Sequence, residues 1–499
     1  MRQEHRNQDV PEGAFERLRA ALPDGDLSRV VRSATRLRAA LGDDADLAGC
    51  TVMVAYGGGK DSSYAVAFVR AMQLVLDRIY GSTFRVRVVT SRHAGMPRSV
   101  MENIDRVYRA LELRDDPRCE LLVIDGDEVS AFDVDLPLPQ AVVERGRADI
   151  LMSGHRSAGD GRPTFCNACN LNMVHAFAIG ASHDGGVDVI VTGDSPDEQY
   201  SYYAWVTRLA HSLKVLPKSS TQRRFGRFLE MFDGISGAYF ADVHGEGSPL
   251  AAPRAAGGRV REGLRFFSIY EETNYESGAH WEFLTQHMGF VFDDIAFSFS
   301  ESDCGNPGLM AHLRGLKGEY RYGTSYAEAL GEYVEFAVGI MKKKDFPEQL
   351  VEAMRRRYAG QEGVRRMRAA MDAYALAAHR LTGEQLVCMI FSPFVDRGAN
   401  LSGYLSAVEP GLAVKVPVIH ALLAGTELDD GDDSLRQSLE RLSGLTLEQL
   451  RQLYGASAMN SAGDSSLLST ILAGDPHKKV IKTRRQSDGA LVEELISGR

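Results

Sequence analysis

The stretch Thr51–Ser63, TVMVAYGGGKDSS, constrains the fold more than any other part of the chain. Val52–Ala55 is a short apolar run with the length of a strand buried in a parallel sheet. The three glycines Gly57–Gly59 permit positive φ angles and place no Cβ between a ligand and the backbone amides. A helix is predicted to begin at Lys60, so its free N–H groups and the positive end of its dipole face the turn. The stretch therefore predicts an anion site between a strand and a helix.

Three further apolar runs have the composition of buried strands. They are Phe84–Thr90, Cys119–Asp125 and Asp188–Thr192, and a segment with helical spacing, Ser99–Leu113, lies between the first two. Strands that alternate with helices form parallel sheets with helices packed on their faces. The predicted fold class is therefore α/β, a doubly wound and mostly parallel sheet of Rossmann-like form, joined to a mostly helical C-terminal region.

A chain of 499 residues is longer than one hydrophobic core usually serves, so we expect several units. The predicted units are residues 1–49, N-terminal helices; 50–235, the sheet with its glycine turn; 262–325, a mixed α/β segment that includes part of a substrate site; and 326–499, mostly helical. Strand-forming or buried stretches are expected at Phe266–Ile269 and Phe290–Phe299. The basic tail Lys478–Arg485 is expected to be a solvated terminus.

Composition limits the classes of partner. The formal net charge of −10 argues against sequence-independent binding of nucleic acid, because phosphate backbones are held by clustered Lys and Arg. The six cysteines are scattered apart from one C-x-x-C, which suits a reducing compartment. The first residues are polar, and no apolar run reaches the roughly 18 residues of a membrane span. We therefore expect a cytoplasmic protein with no membrane partner.

The glycine turn fits neither of two common phosphate-binding patterns, G-x-x-x-x-G-K-[ST] and G-x-G-x-x-G. It resembles instead the PP-loop, S-G-G-x-D-S-[ST], of the N-type ATP pyrophosphatases, within the adenine nucleotide α-hydrolase-like superfamily. The residues that match are Gly58, Gly59, Lys60, Asp61, Ser62 and Ser63, while Gly57 replaces the leading Ser. The resemblance implies that residues 50–235 are an ATP-binding domain of α/β/α type that cleaves ATP between its α and β phosphates.

The resemblance also implies roles for individual residues. Gly57, Gly58, Gly59, Ser62 and Ser63 would cradle the phosphates, and Lys60 would offset their charge as a catalytic group beside Asp61. Thr90, Ser91 and Arg92, at the tip of the second strand, would border the adenosine, because ligands of such sheets lie beyond the carboxyl ends of the strands.

A second motif, TGDSPDE, spans Thr192–Glu198 between a strand and a helix. Gly193 would belong to the nucleotide site, and Asp194 and Asp197, together with Asp61, would hold Mg²⁺ against the phosphates of ATP, since Mg²⁺ prefers hard oxygen ligands. The same segment also has the pattern of a helix N-terminus, with Asp194 as N-cap. The two interpretations are compatible.

The third motif is the C-x-x-C of Cys166 and Cys169, which alone supplies only half of a metal site. Together with the motif that follows it, residues 166–198 resemble the PP-loop enzymes of tRNA 2-thiolation. That resemblance implies that Cys166 and Cys169 carry sulfur, or hold an iron–sulfur cluster with a third cysteine such as Cys304. A reduced structural pair is the alternative. The arginine pair typical of those enzymes is missing, which argues with the acidic charge against tRNA as substrate.

These features predict an ATP-dependent enzyme that adenylates a carboxyl or carbonyl oxygen of a small-molecule or carrier-bound acceptor, releases pyrophosphate, and then replaces AMP with a nitrogen nucleophile. One alternative is a sulfurtransferase, and another is a nucleotide-binding module without catalysis. A partner protein that donates ammonia or sulfur is compatible with the first two. The polar residues expected to form the substrate pocket are Tyr270, Glu271, Glu272, Asp303 and Asn306, whereas the scattered histidines are expected to be structural or to lie at the surface.

Overall fold

A computed structural model describes residues 13–497 of the chain, apart from gaps at 24, 43–45, 194–195, 217–223, 253–259, 262, 273–279, 297–303, 344–345, 347, 427–432, 460, 462–463, 465, 475–477 and 487. The main sheet has six strands. They are β1 Thr51–Ala55, β2 Arg85–Ser91, β3 Cys119–Asp125, β4 Glu128–Ala131, β5 Val189–Val191 and β6 Arg265–Phe267. Their order is β4-β3-β2-β1-β5-β6, and β4 alone among these six is antiparallel to its neighbour. The prediction of an α/β fold with a mostly parallel sheet is confirmed.

Helices precede, connect and follow these strands. Those before residue 250 are α1 Ala14–Ala21, α2 Asp26–Leu41, α3 Lys60–Tyr80, α4 Arg98–Ala110, α5 Gln140–Arg156, α6 Gly161–Phe165, α7 Asn167–Ser182, α8 Pro196–Ser212 and α9 Arg224–His244. Those after residue 300 are α10 Asn306–Lys317, α11 Tyr326–Lys343, α12 Glu348–Arg357, α13 Gly360–His379, α14 Gly383–Phe391, α15 Leu401–Val408, α16 Pro410–Ala413, α17 Val416–Leu423, α18 Asp433–Ser443, α19 Leu447–Gly455 and α20 Leu467–Gly474. In the part of the chain that the structure describes, none of them is long and apolar enough to cross a membrane.

Helices cover both faces of the sheet, and successive side chains of β1 pack alternately against the two faces. Val52 and Val54 pack into the core formed with α3 and α4, whereas Met53 and Ala55 pack with residues of α7 on the opposite face. Successive side chains of a strand point to opposite faces, so an entirely apolar strand requires cover on both. The TVMVA run is apolar throughout for this reason.

The helical region shares its core with helices that come early in the chain. Ile150 of α5 and Phe240 of α9 belong to the same buried cluster as Leu313 of α10 and Leu386 of α14. Residue 235, the predicted end of the ATP-binding segment, falls inside α9, and β6 extends the sheet beyond it by pairing with β5. The sheet and the helical region are therefore joined through α5 and α9 rather than by a linker alone.

Two stretches follow the sequence-based expectation only in part. Residues 290–296 form no strand, although Phe290 and Ala296 are buried, and residues 297–299 of the predicted stretch lie outside the described part. The basic tail forms β7 Lys478–Arg484, which pairs with β8 Leu491–Ser497 as an antiparallel hairpin. The prediction of a solvated terminus is confirmed for the described side chains, since Val480, Lys482 and Arg484 are exposed, but the pairing of this tail with a second strand was not predicted. The expectation at Phe266–Ile269 is confirmed in part by β6.

Candidate functional site

The glycine turn and the Thr192–Gly193 segment meet at one point of the sheet. β1 lies between β2 and β5, so the loops after β1 and β5 border the crevice where the strand order reverses, the usual ligand position in open α/β sheets. A Cβ added to Gly193 would lie 3.2 Å from the backbone nitrogen of Ser62. The second loop therefore packs directly against the N-terminus of α3, and a side chain at Gly193 would separate the two.

The three glycines of the turn have different tasks. Gly58 has a φ of +82°, and a Cβ there would lie 2.6 Å from Cγ1 of Val100 on α4. Gly57 and Gly59 instead line a cavity at the carboxyl ends of the strands. Gly58 therefore lets the turn close onto α4, while its neighbours present backbone to the cavity.

The first residues of α3 place charge and hydroxyl groups at this turn. Lys60 is only 2 % exposed, and its Nζ lies 3.2 Å from Oδ1 of Asp61, which lines the cavity. Ser62 also lines the cavity, and its hydroxyl donates to the carbonyl oxygen of Gly59 at 3.2 Å. The hydroxyl of Ser63 donates to the same carbonyl at 2.8 Å and lies 2.9 Å from the hydroxyl of Tyr56. Ser63 thus supports the turn from inside, whereas Asp61 and Ser62 face the cavity.

The residues at the end of β2 differ in whether they are buried or line the cavity. Thr90 is fully buried, whereas Ser91 and Arg92 line the cavity. The guanidinium of Arg92 forms an ion pair with Asp125 at the end of β3, with Nε 2.8 Å from Oδ1, and it also donates to the carbonyl oxygens of Leu136 and Pro137. Arg92 therefore locks neighbouring strand ends together, and Ser91 is the better placed of the two to contact a nucleoside.

The predicted magnesium ligands are described only in part. Asp194 and the side chain of Asp197 lie outside the described residues. Among the residues that are described, no three His, Cys, Asp or Glu side chains converge as a metal site. Mg²⁺ bound to a nucleotide usually takes one or two carboxylates, with phosphate oxygens and water as its other ligands. The carboxylate of Asp61, on the cavity beside a helix N-terminus, fits such a site, and the magnesium assignment stays a prediction.

The three cysteines of the predicted sulfur site share the cavity with the glycine turn. Cys166 immediately precedes α7, Cys169 lies in its first turn, and Cys304 lies just before α10. None of the three is in a disulfide. They do not form a metal-binding group in the described part of the chain, so the iron–sulfur assignment also stays a prediction, although all three residues line the cavity.

The cavity has a volume of about 1710 Å³. A site for one small molecule usually occupies roughly 300–1,000 Å³, so there is room for a nucleotide and a second molecule. The sheet, the loops after its strands and the helices from α5 to α9 line one part of it, the sheet wall, and α10, α11 and the end of α13 line another part, the helical wall.

Sequence reasoning missed a polar cluster where these two walls meet. His93, which follows β2, accepts a hydrogen bond at Nδ1 from the backbone N–H of Gly95 at 3.1 Å. Tyr374 of α13 donates its hydroxyl to the carbonyl oxygen of Gly95. His379, at the end of α13, has Nε2 3.0 Å from Oδ1 of Asn306. The cluster thus connects β2, α10 and α13, and it had no local signal because its members are far apart in the sequence.

The predicted substrate pocket is only partly assembled. Glu271 and Asn306 line the cavity, while Asp303 lies outside the described residues. Glu272 is bound by Arg36 and Ser33 of α2, each at 2.7 Å, which lowers the pKa of Glu272 despite the opposing effect of burial. Glu272 therefore anchors the segment after β6.

The histidines expected to be structural fall into two groups. Buried contacts account for His280, which stacks on Tyr64 with ring centroids 3.6 Å apart, and for His312, whose Nδ1 lies 2.7 Å from the hydroxyl of Tyr326. His175 differs, because it lines the cavity and its Nε2 lies 2.6 Å from Oδ1 of Asp127.

The glycine turn, the second loop and the cysteines thus line one large cavity at the reversal point of the sheet. No protein-family model, curated protein or solved structure matches this chain.

Proposed function

We propose that this protein is an ATP-dependent adenylating enzyme whose nucleotide site is the turn Gly57–Ser63. The observation that supports the proposal is convergence: two motifs picked out separately in the sequence pack against each other through Gly193 and Ser62. In this proposal the sheet with helices on both faces is the doubly wound α/β/α sandwich of the PP-loop enzymes, working in the cytoplasm, where thiols stay reduced.

The proposed chemistry gives each part of the turn a role. The backbone amides at the start of α3 would bind the β and γ phosphates, and Lys60 would offset their charge. Asp61 would hold Mg²⁺, which supplies neutralisation of the leaving pyrophosphate. An oxygen of the acceptor attacks the α phosphorus, its bond to the bridging oxygen breaks, and pyrophosphate leaves. A nitrogen nucleophile then displaces AMP from the adenylated carbon.

The test is product analysis with ATP labelled at the α phosphate. Full-length protein is incubated with Mg²⁺, ammonium and a panel of carboxylate and amide acceptors, and AMP is separated from ADP. We expect AMP and pyrophosphate in equal amounts with an accepted substrate, and none with Asp61→Asn. Formation of ADP would contradict the proposal. Binding of ATP without AMP formation for any acceptor would favour the non-catalytic module.

A second candidate, sulfur transfer, is favoured by one observation: Cys166, Cys169 and Cys304 line the same cavity as the glycine turn. A persulfide on one of these cysteines, loaded by a sulfur-donating partner, would then replace ammonia as the nucleophile and displace AMP. The thiol of the other cysteine would cleave the S–S bond to release the sulfur-containing product, and a dithiol reductant would restore the Cys166–Cys169 disulfide to thiols. The test, with a dithiol reductant present, compares Cys166→Ser and Cys169→Ser with Cys50→Ser, a cysteine that lies before β1. If sulfur is transferred, the first two variants lose the sulfur-containing product but keep acceptor-dependent release of pyrophosphate, whereas Cys50→Ser keeps both. Equal product from all three would exclude a sulfur-carrying role.

A further inference from the structure

The wall formed by the helical region differs in charge from the wall formed by the sheet. Among the described residues that line the cavity, those from Cys304 onward include no Asp, Glu, Lys or Arg, and α11 contributes apolar side chains such as Phe336 and Ile340. Charged lining residues, among them Lys60 and Asp61, come from the earlier part of the chain. A ligand against the helical wall therefore meets an uncharged surface.

Two histidines supply hydrogen-bonding groups at the edge of this wall. Because Nδ1 of His93 accepts from the N–H of Gly95, the proton of the neutral ring is on Nε2. Because Nε2 of His379 pairs with Oδ1 of Asn306, that nitrogen is the donor and Nδ1 carries the lone pair. Both rings line the cavity, so the pair offers one donor and one acceptor.

The acceptor nitrogen of His379 is left without a partner. The ring is 3 % exposed, and its Nδ1 has no hydrogen bond to any group in the described part of the chain. A buried polar atom of this kind is costly unless something pairs with it. Its surroundings also keep the ring neutral, since burial and the nearby His93 lower the pKa of His379 to about 3, and removal from water lowers the pKa of His93 to about 4.

Hydrogen bonds hold the cluster in place, so it can select between ligand groups that differ in charge or in hydrogen-bonding pattern. Tyr374 donates to the carbonyl oxygen of Gly95 and accepts from the N–H of Gly305 at 3.1 Å, so the loop after β2 and the start of α10 are fixed to α13. A rigid, uncharged donor–acceptor pair selects a ligand group that carries a matching acceptor and donor and no charge.

We propose that His93 and His379 form a subsite for an uncharged carboxamide with an apolar body, the amide N–H pairing with Nδ1 of His379 and the carbonyl oxygen with Nε2–H of His93. A carboxylate has no N–H for His379 and would bring an unpaired negative charge to this wall. The inference rests on the proposed function in taking this amide as the acceptor whose oxygen is adenylated.

The experiment uses two probes that share a ring and differ in the head group, benzamide and benzoate. Their affinities for full-length protein at pH 7.5 are measured by saturation-transfer difference NMR. We expect benzamide to bind at least about tenfold more tightly, the difference that one buried hydrogen bond makes. Equal or tighter binding of benzoate, or no binding of either probe, would overturn the proposal, and this comparison needs no variant.

Two substitutions then isolate Nδ1 of His379. In His379→Gln the side-chain amide can still donate to Asn306 but offers no acceptor at the Nδ1 position, whereas His379→Asn places its oxygen near that position. With folding checked by near-UV circular dichroism, we expect His379→Gln to lose about tenfold in benzamide affinity and His379→Asn to retain most of it. Equal affinity of wild type and His379→Gln would refute the assignment.

Titration of ATP into the same samples separates this inference from the proposed function. Intact ATP binding without discrimination between the two probes defeats the subsite and leaves the adenylating enzyme standing. Tighter binding of benzamide than of benzoate, without ATP binding, supports the subsite and contradicts the adenylating enzyme.

Discussion

The two walls of the cavity differ in the charge of their side chains and in the elements that supply them. On the sheet side, charged residues such as Asp61, Arg92 and Asp125 lie just after the ends of parallel strands. On the helical side, the described lining residues are apolar or neutral, and their polar side chains are the cluster around His379, Tyr333 and Cys304. Loops after strands can change chemistry without disturbing a core, whereas helix faces that double as core must remain largely apolar.

This difference suggests a division of labour. The sheet side suits an anion and a cation, because helix amides and carboxylates meet there. The helical side suits a neutral molecule, because burying an unpaired charge is expensive. If the division is real, a substitution on one wall changes binding at that wall and leaves the other intact.

The largest expected effect is on the charged wall. Asp61→Asn keeps the shape of the side chain but removes the charge that would hold Mg²⁺, so the rate of AMP formation should fall about 1,000-fold, or roughly 4 kcal/mol of barrier. Benzamide affinity should remain within twofold. The matched control is Asp77→Asn near the other end of the same helix. Wild-type turnover in Asp61→Asn would contradict the assignment of the cation site to the charged wall.

The next effect tests the neutrality of the helical wall. The pKa of His379 is about 3 in the folded protein and near its ordinary 6.5 in the unfolded chain. Between these values the unfolded state binds more protons, so stability is complete above pH 6.5 and is lost as the pH falls. His379 alone should reduce the free energy of unfolding by about 3 kcal/mol between pH 6.5 and pH 4.

Urea denaturation across this pH range measures the effect. His379→Gln should flatten the profile by that amount, whereas His287→Gln, at an exposed histidine away from the cavity, should leave the slope unchanged. Parallel profiles for wild type and His379→Gln would show that the wall accepts a charge.

A third, smaller effect concerns the glycine turn. Gly58 and Gly81 both have positive φ and lie just before and just after α3, but only Gly58 has a neighbour within contact distance of an added Cβ. Gly81→Ala should cost about 1–2 kcal/mol from backbone strain, and Gly58→Ala about 1–3 kcal/mol more, because Val100 must move. Denaturant unfolding of both variants gives the difference, and equal costs would mean that close approach to α4 is not required.

The smallest effect is on ligand packing. Phe336→Ala removes an aromatic ring from the uncharged wall and should weaken benzamide about fivefold, or roughly 1 kcal/mol. ATP affinity should not change. Leu376→Ala, on the exposed side of α13, serves as the control. Loss of ATP binding in Phe336→Ala would show that the two walls do not act separately.

Much of the sheet could be predicted because its signals are local. The runs within β1 and β5 are continuous and apolar, and such runs indicate strands covered on both faces. β2 and β3 contain shorter apolar runs together with charged residues such as Arg87 and Glu120. β4 has no such run, and β7 is charged and exposed, so its composition alone does not indicate a strand.

In the candidate site too, the features that depend on neighbouring residues could be predicted from the sequence, and those that depend on distant residues could not. A turn with positive φ followed by a helix can be recognised from its own residues, so the glycine turn between β1 and α3 was predicted correctly. The division of tasks within it was not, because the hydroxyl of Ser63 and the guanidinium of Arg92 were assigned to the ligand, while long-range hydrogen bonds to Tyr56 and Asp125 engage them.

By itself, the sequence determined a buried strand, a glycine turn and a helix start whose first backbone amides face the turn, because each of these depends on residues close together in the chain. Only the tertiary structure decided that Gly193 packs on Ser62, that three cysteines line the same cavity, and that His93 and His379 come together where its two walls meet. Those contacts depend on the order of strands and on the packing of α10 and α13, which no local pattern encodes.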